Sequence, residues 1–192
     1  MTKKPFTSVS MRTALSVSVL LASGAFAATA NAEKFGFGTT PTAEEIAAID
    51  IDVMPDGRGY PSGSGTVAQG KEIYTQQCAS CHGDDMQSVK GTGADALIGG
   101  RGSIGTEKTK KTVESYWPYA STLFDYIKRA MPFTSPGSLT NDEIYAVSAY
   151  ILHKGNIIGA DATMNAETMS KVEMPNKDGF ISDPRPDVFN YR

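Results

Sequence analysis

Cys78-Ala79-Ser80-Cys81-His82 constrains this chain more than any other feature, because it sets two thiols three positions apart with an imidazole directly after the second. Covalent attachment of a haem requires this arrangement. Each thiol adds to one vinyl group, and the adjacent histidine reaches the iron from the proximal side. The chain has two cysteines and two histidines in all, and the pentapeptide uses three of those four residues. A bare CxxC also fits a thioredoxin-like redox pair, a structural disulfide or half a zinc site. Zinc would need two more ligands, and only His153 and the carboxylates remain. A thioredoxin-like pair belongs in a βαβ context, and the sequence offers none. One covalently bound haem c is the expected cofactor, held by Cys78 and Cys81, with His82 as one axial ligand.

A haem of this kind implies export, and the first 32 residues read as an export signal. Lys3, Lys4 and Arg12 form a basic start, residues 14–28 are apolar, and Ala30-Asn31-Ala32 offers a small-x-small cleavage site before Glu33. The apolar stretch is shorter than the ~20 residues a spanning helix needs, so cleavage and a periplasmic product are expected rather than a retained anchor. No other segment is apolar enough to cross a bilayer. Loss of the signal leaves 15 basic against 21 acidic residues, a net of −6. That balance excludes nucleic acid as a natural partner and favours a protein surface rich in Lys or Arg.

The rest of the chain reads as mainly helical, an all-α fold with three main helices around one haem and an arm at each end. The first helix is expected over 67–77. Thr66 and Gln69 have capping-box spacing, and Val67, Gly70, Ile73, Tyr74 and Gln77 follow a helical repeat. Gly70 costs such a helix ~1 kcal/mol relative to alanine, which suits a place where another backbone comes close. A second helix is expected over 122–130, with Leu123, Phe124 and Ile127 on one side. The last, over 141–154, is the clearest. Thr140 and Glu143 form a second capping box, Leu139 and Ile144 a hydrophobic staple, and Gly155 a C-cap. The expected organisation is a signal over 1–32, an N-terminal extension over 33–65 with a short helix near 42–48, a core domain over 66–155 and a C-terminal extension over 156–192. The extensions carry Gly, Pro and Ser punctuation, but Ile157, Ile158, Phe180 and Phe189 argue against simple solvated linkers.

The sixth position on the iron decides the chemistry, and Met131 is the expected ligand. It ends the second helix directly before Pro132, and proline pushes its predecessor out of the helical region. A thioether opposite an imidazole fills the coordination sphere and raises the potential, which suits electron transfer. The rivals are His153, read as a polar cap near a helix end, and Met164, Met169 and Met174, which would ligate only if the tail folds over the haem. Met86 lies too near the attachment site. Arg101, in the run Gly99-Gly100-Arg101-Gly102, and the Trp117 indole N–H are candidates for a haem propionate. The competing readings are an exposed loop charge and an aromatic core plug. No catalytic residues are identified.

These residues resemble a class I cytochrome c: Gly70-x-x-x-Tyr74 before the CxxCH, then Met131-Pro132, then a closing helix ending in Ala149-Tyr150-Ile151. The resemblance implies that the first and last helices cross at Gly70. A narrower likeness covers almost the whole mature chain. Ile51-Asp52-Val53-x-Pro55-Asp56-Gly57, Ser115-Tyr116-Trp117-Pro118-Tyr119-Ala120 and Met174-Pro175-Asn176-x-Asp178-Gly179-Phe180 are similar to the cytochrome c subunits of periplasmic sulfite and sulfane dehydrogenases, in a SoxD-like, single-haem version. That resemblance implies a molybdenum subunit as electron donor and a downstream cytochrome or oxidase as acceptor. The chain would then be an electron-transfer subunit, not an enzyme on its own. Two alternatives stand beside it: a free-standing periplasmic shuttle without a dedicated dehydrogenase, and a haem enzyme or gas sensor with an open iron site. The sequence departs from many class I cytochromes in one respect. The first proline after His82 is Pro118, so the partner of the His82 ring N–H is left open.

Overall fold

The computed structural model describes residues 38–183. The predicted export signal, Pro184, Pro186 and Phe189 lie outside the described residues. Two units divide the chain, Met1–Thr42 and Ala43–Arg192. In the first, only residues 38–42 are described, and they form no helix or strand. All the helices and strands among the described residues belong to the second.

In chain order these are α1 (Ala43–Ile49), β1 (Ser64–Thr66), α2 (Val67–Gln77), α3 (Ala79–His82), α4 (Ala120–Ala130), α5 (Asn141–Lys154), β2 (Thr163–Asn165) and α6 (Ala166–Ser170). α2 and α5 have the bounds expected from the sequence, and α4 begins two residues before the expected 122. Thr66 caps α2 by accepting from the Gln69 N–H at 3.2 Å, and the Gln69 side chain accepts from the Thr66 N–H at 2.9 Å. Thr140 and Glu143 close the same box on α5, at 3.3 and 2.7 Å. Each box satisfies helix N–H groups that have no partner inside the helix.

α2 and α5 cross at Gly70. A β-carbon there would lie 1.8 Å from the Ala146 carbonyl oxygen and 2.9 Å from the Tyr150 β-carbon, so only glycine lets the two backbones meet. Tyr74, one turn further along α2, sets its ring 5.4 Å from that of Tyr150. The centre of the core is α5, buried without interruption from Ile144 to Leu152. Phe124 of α4 lies against Tyr145 at a ring separation of 4.6 Å.

The chain is not purely helical. β1 and β2 pair antiparallel, with Gly65 opposite Met164. The sheet rests on α5, where a β-carbon on Gly65 would stand 2.2 Å from the Ala146 nitrogen. Strands of three residues are too short to leave an alternating pattern in sequence. Described residues before β1 and after β2 pack onto this framework. Before β1, the Val53 N–H donates to Asp125 of α4 at 3.2 Å, Arg129 pairs with Asp125 and Asp52, and the Tyr145 hydroxyl donates to the Pro61 carbonyl at 2.8 Å. After β2, Met169 and Met174 are buried along with Met164 of the strand itself, and Asn176 donates to the Tyr116 carbonyl at 2.7 Å. No helix among the described residues is long and apolar enough to cross a membrane.

Candidate functional site

The CxxCH pentapeptide forms a turn of its own. Cys78 ends α2 and stands at the N-cap of the four-residue α3, and the amides of Cys81 and His82 both donate to its carbonyl. A helical turn brings positions three and four apart onto one face, which places both thiols and the imidazole together. The thiols are not joined in a disulfide; Cys78 is half-buried and Cys81 exposed. Burial, and to a lesser degree the neighbouring Cys81, push the Cys78 thiol up to about 11. A redox-active CxxC needs the opposite shift, towards a thiolate at neutral pH. Among the described residues no group of three or more His, Cys, Asp or Glu is placed to hold a bare metal ion, which removes support from the zinc reading.

His82 Nδ1 lies 2.8 Å from the backbone carbonyl of Asp95. A carbonyl only accepts, so Nδ1 carries the proton and Nε2 keeps its lone pair for a metal. The partner left open by the missing proline is therefore a main-chain oxygen thirteen residues on. Every residue carries such an oxygen, so no side chain marks it in the sequence. The loop bearing it is tied down by the Leu97 N–H, which donates to the Met86 carbonyl at 2.9 Å.

Met131 is the C-cap of α4, with φ −124° and ψ 146°; its extended backbone follows from Pro132. Its side chain is half-buried and packs on the edge of the main apolar cluster, as do Cys78, Leu97, Ile98 and Trp117. The other sulfurs are placed differently. Met86 is wholly buried, and Met164, Met169 and Met174 are core residues. His153 sits in the last turn of α5 with Nδ1 3.3 Å from the carbonyl of Ile158, which lies past the helix end and is not one of the carbonyls a cap would satisfy.

Arg101 is committed to the fold. Its guanidinium pairs with Glu114 at 2.7 Å and donates to the carbonyls of Gly155 and Asn156, closing the C-terminal end of α5. Glu114, nearly buried, also accepts from the Gly99 N–H. A guanidinium fork fits carbonyl oxygens at a helix end as well as it fits a propionate, which is why sequence reasoning could not separate the two. Glu114 is invisible beforehand, since a lone glutamate in a polar loop carries no pattern. Trp117 makes an edge contact with Tyr126 at 5.7 Å.

These residues fit a haem c. Two unpaired thiols lie one turn apart, the imidazole has one nitrogen fixed and the other available, and Met131 is half-buried against the main apolar cluster.

The family model for subunit III of cbb3-type cytochrome c oxidase matches residues 65–151. A thiosulfate dehydrogenase of Stutzerimonas stutzeri (strain A1501) is 31% identical over 113 residues, which is 58% of this chain and 33% of that protein. The chain thus spans about a third of the length of that curated relative. A chain in the crystal structure of the sulfane dehydrogenase SoxCD from Paracoccus pantotrophus superposes with a TM-score of 0.73 and 40% identity, over 82% of this chain and 76% of that one. That likeness is too long to be confined to residues 65–151 and takes in sequence from the arms.

Proposed function

This chain belongs to the c-type cytochromes, in the group related to the cytochrome of sulfane dehydrogenase, and on that premise we propose that it is the electron-transfer subunit of a periplasmic molybdenum dehydrogenase for sulfite or sulfane sulfur. The observation that carries this reading is the extension of the SoxCD likeness beyond the haem core, since a free carrier needs the core alone.

A bound haem c supplies a one-electron iron couple at a fixed place in the chain. Cys78 and Cys81 would hold it covalently, and His82 Nε2 and Met131 Sδ would ligate its iron. One such group per chain follows from the one CxxCH. The protein's part is to bind and orient. The α3 turn presents the thiols and the imidazole together, the Asp95 carbonyl fixes the ring, and the Met131 backbone leaves the helix at the end of α4, which would let its side chain reach the iron. Leu97, Ile98 and Trp117, half-buried against the main apolar cluster, would limit water at the haem. With His82 and Met131 both ligating, the iron would have no place for substrate, and substrate oxidation would belong to the partner. Sulfur oxidation releases electrons in pairs, and this chain passes them singly to a downstream cytochrome or oxidase. Residues 1–32 direct export and are removed, leaving a mature chain that begins at Glu33 in the periplasm.

The test is reduction of the purified holo-protein by a molybdenum sulfite or sulfane dehydrogenase, with sulfite and with a protein-bound sulfane sulfur. Co-purification and substrate-dependent reduction are expected. Absence of both, with the haem in place, would leave the free-shuttle reading in possession. Intact mass of the exported protein gives the start of the mature chain and the number of haems.

A further inference from the structure

Residues 83–97 lead from His82 to the carbonyl that accepts its ring proton, and they contain no proline. Two side-chain-bearing residues in this loop have left-handed backbone, Met86 at φ 61° and Ser88 at φ 77°. Such a conformation costs about 1 kcal/mol or more and persists where the surroundings hold it. Met86 is held by its wholly buried side chain. Ser88 is held by hydrogen bonds at both ends: its N–H donates to the His82 carbonyl at 2.7 Å, and its hydroxyl donates to the Ala94 carbonyl at 2.6 Å.

Thr92 repeats the connection. Its hydroxyl donates to the carbonyls of Val89 and Cys81, at 2.8 and 3.1 Å, and accepts from the Ala94 N–H at 3.3 Å. Both hydroxyls therefore tie Ala94 to the backbone of the haem motif. The next residue is Asp95, whose carbonyl receives the His82 Nδ1–H. The hydrogen bonds close a ring running His82, Ser88, Ala94, Asp95 and back to His82.

We propose that Ser88 and Thr92 are positioning residues for His82: their hydroxyls hold the Asp95 carbonyl on Nδ1 and thereby set how strongly Nε2 donates to a metal. This deepens the proposed function and rests on His82 being an iron ligand. A carbonyl drawn tightly onto an N–H makes the ring a stronger donor, and a stronger donor favours the oxidised metal. Loosening the brace raises the potential.

The experiment compares wild-type holo-protein with Ser88→Gly, Thr92→Val and Thr92→Ser. Ser88→Gly removes the hydroxyl while relieving the left-handed backbone, so thermal stability is unchanged or improved. The ratio of reduced to oxidised protein at a fixed applied potential is expected to rise about threefold. Solvent exchange of the His82 Nδ1 proton, followed by NMR, is expected to speed up about tenfold. Thr92→Val moves both readouts the same way, and Thr92→Ser, which keeps the hydroxyl, leaves them at wild-type values. If neither readout moves in Ser88→Gly and Thr92→Val, or if the readouts only track losses of thermal stability, the positioning role is wrong. Electron paramagnetic resonance of the wild type separates the two layers. A signal without imidazole ligation removes the proposed function itself, whereas intact ligation with unmoved readouts removes only the role of Ser88 and Thr92.

Discussion

The crossing of α2 with α5 and the loop over residues 83–97 meet at the two ends of Tyr74, and they are built from opposite materials. At the crossing, the Tyr74 ring lies on Tyr150 and backbone meets backbone through Gly70, with apolar side chains filling the rest. In the loop, the Tyr74 hydroxyl donates to the Gly83 carbonyl at 2.7 Å, and beyond Gly83 runs a chain of hydroxyl and amide bonds over a half-exposed surface. The first region has no room for any added atom, so changes there alter stability. The second has room but specific geometry, so changes there alter how the imidazole is held. A protein that must fold firmly and yet tune one ring benefits from keeping these tasks apart.

The largest expected effect is at the crossing. Gly70→Ala forces a β-carbon into the Ala146 carbonyl and is expected to cost about 3 kcal/mol, read as a fall in the denaturation midpoint. Wild-type stability would mean that α2 and α5 do not meet there. Glu114→Ala comes next, since it strips a partner from both Arg101 and the Gly99 N–H; a loss of about 2 kcal/mol is expected in denaturant melts. Glu114→Gln, which keeps one acceptor, should recover part of it.

Tyr74→Phe joins the two regions and sharpens the contrast, because it keeps the ring contact and removes the bond to Gly83. The expected loss is about 1 kcal/mol. The pH dependence carries the same information. Burial raises the phenols of Tyr60 and Tyr74 well above the usual range and that of Tyr145 to about 12, so each stays neutral in the folded state after its unfolded counterpart has ionised. Their contribution is complete below about pH 10 and declines above it, as the unfolded phenols begin to ionise. Stability measured from about pH 9 to about pH 11 should therefore fall, and less steeply in Tyr74→Phe. The smallest effect is Thr140→Ala, which opens the α5 capping box. A loss somewhat under about 1 kcal/mol is expected in thermal melts, with no change in visible absorption.

The two regions also differ in how they could be read beforehand. α2 and α5 announce themselves through side chains that act on their own neighbours: Thr66 with Gln69, Thr140 with Glu143, and a glycine in a helical repeat. Local chemistry at fixed spacing survives in sequence. The Asp95 carbonyl has no such signature, and Ser88 and Thr92 look like ordinary loop hydroxyls until the fold brings Ala94 beside Cys81 and His82. The same holds for the pairing of β1 with β2, which joins distant three-residue segments, and for Arg101, whose partners Glu114 and Gly155 come from separate parts of the chain. α6 is hidden too, although Asn165 and Thr168 cap it reciprocally, because a five-residue helix gives no periodic pattern to draw attention to its cap. At the site, the attachment residues are visible as a motif and Met131 as a Met-Pro step. The carbonyl that orients the imidazole is not.

The central proposal is that this chain carries electrons through a haem iron that His82 and Met131 would both ligate. The most direct measurement is the near-infrared spectrum of the oxidised holo-protein, wild type and Met131→Ala. The account predicts a weak sulfur-to-iron band in the wild type that the substitution abolishes, leaving the haem attached through Cys78 and Cys81. A wild type without the band, or a band that survives in Met131→Ala, would contradict it and put another ligand, or none, opposite His82.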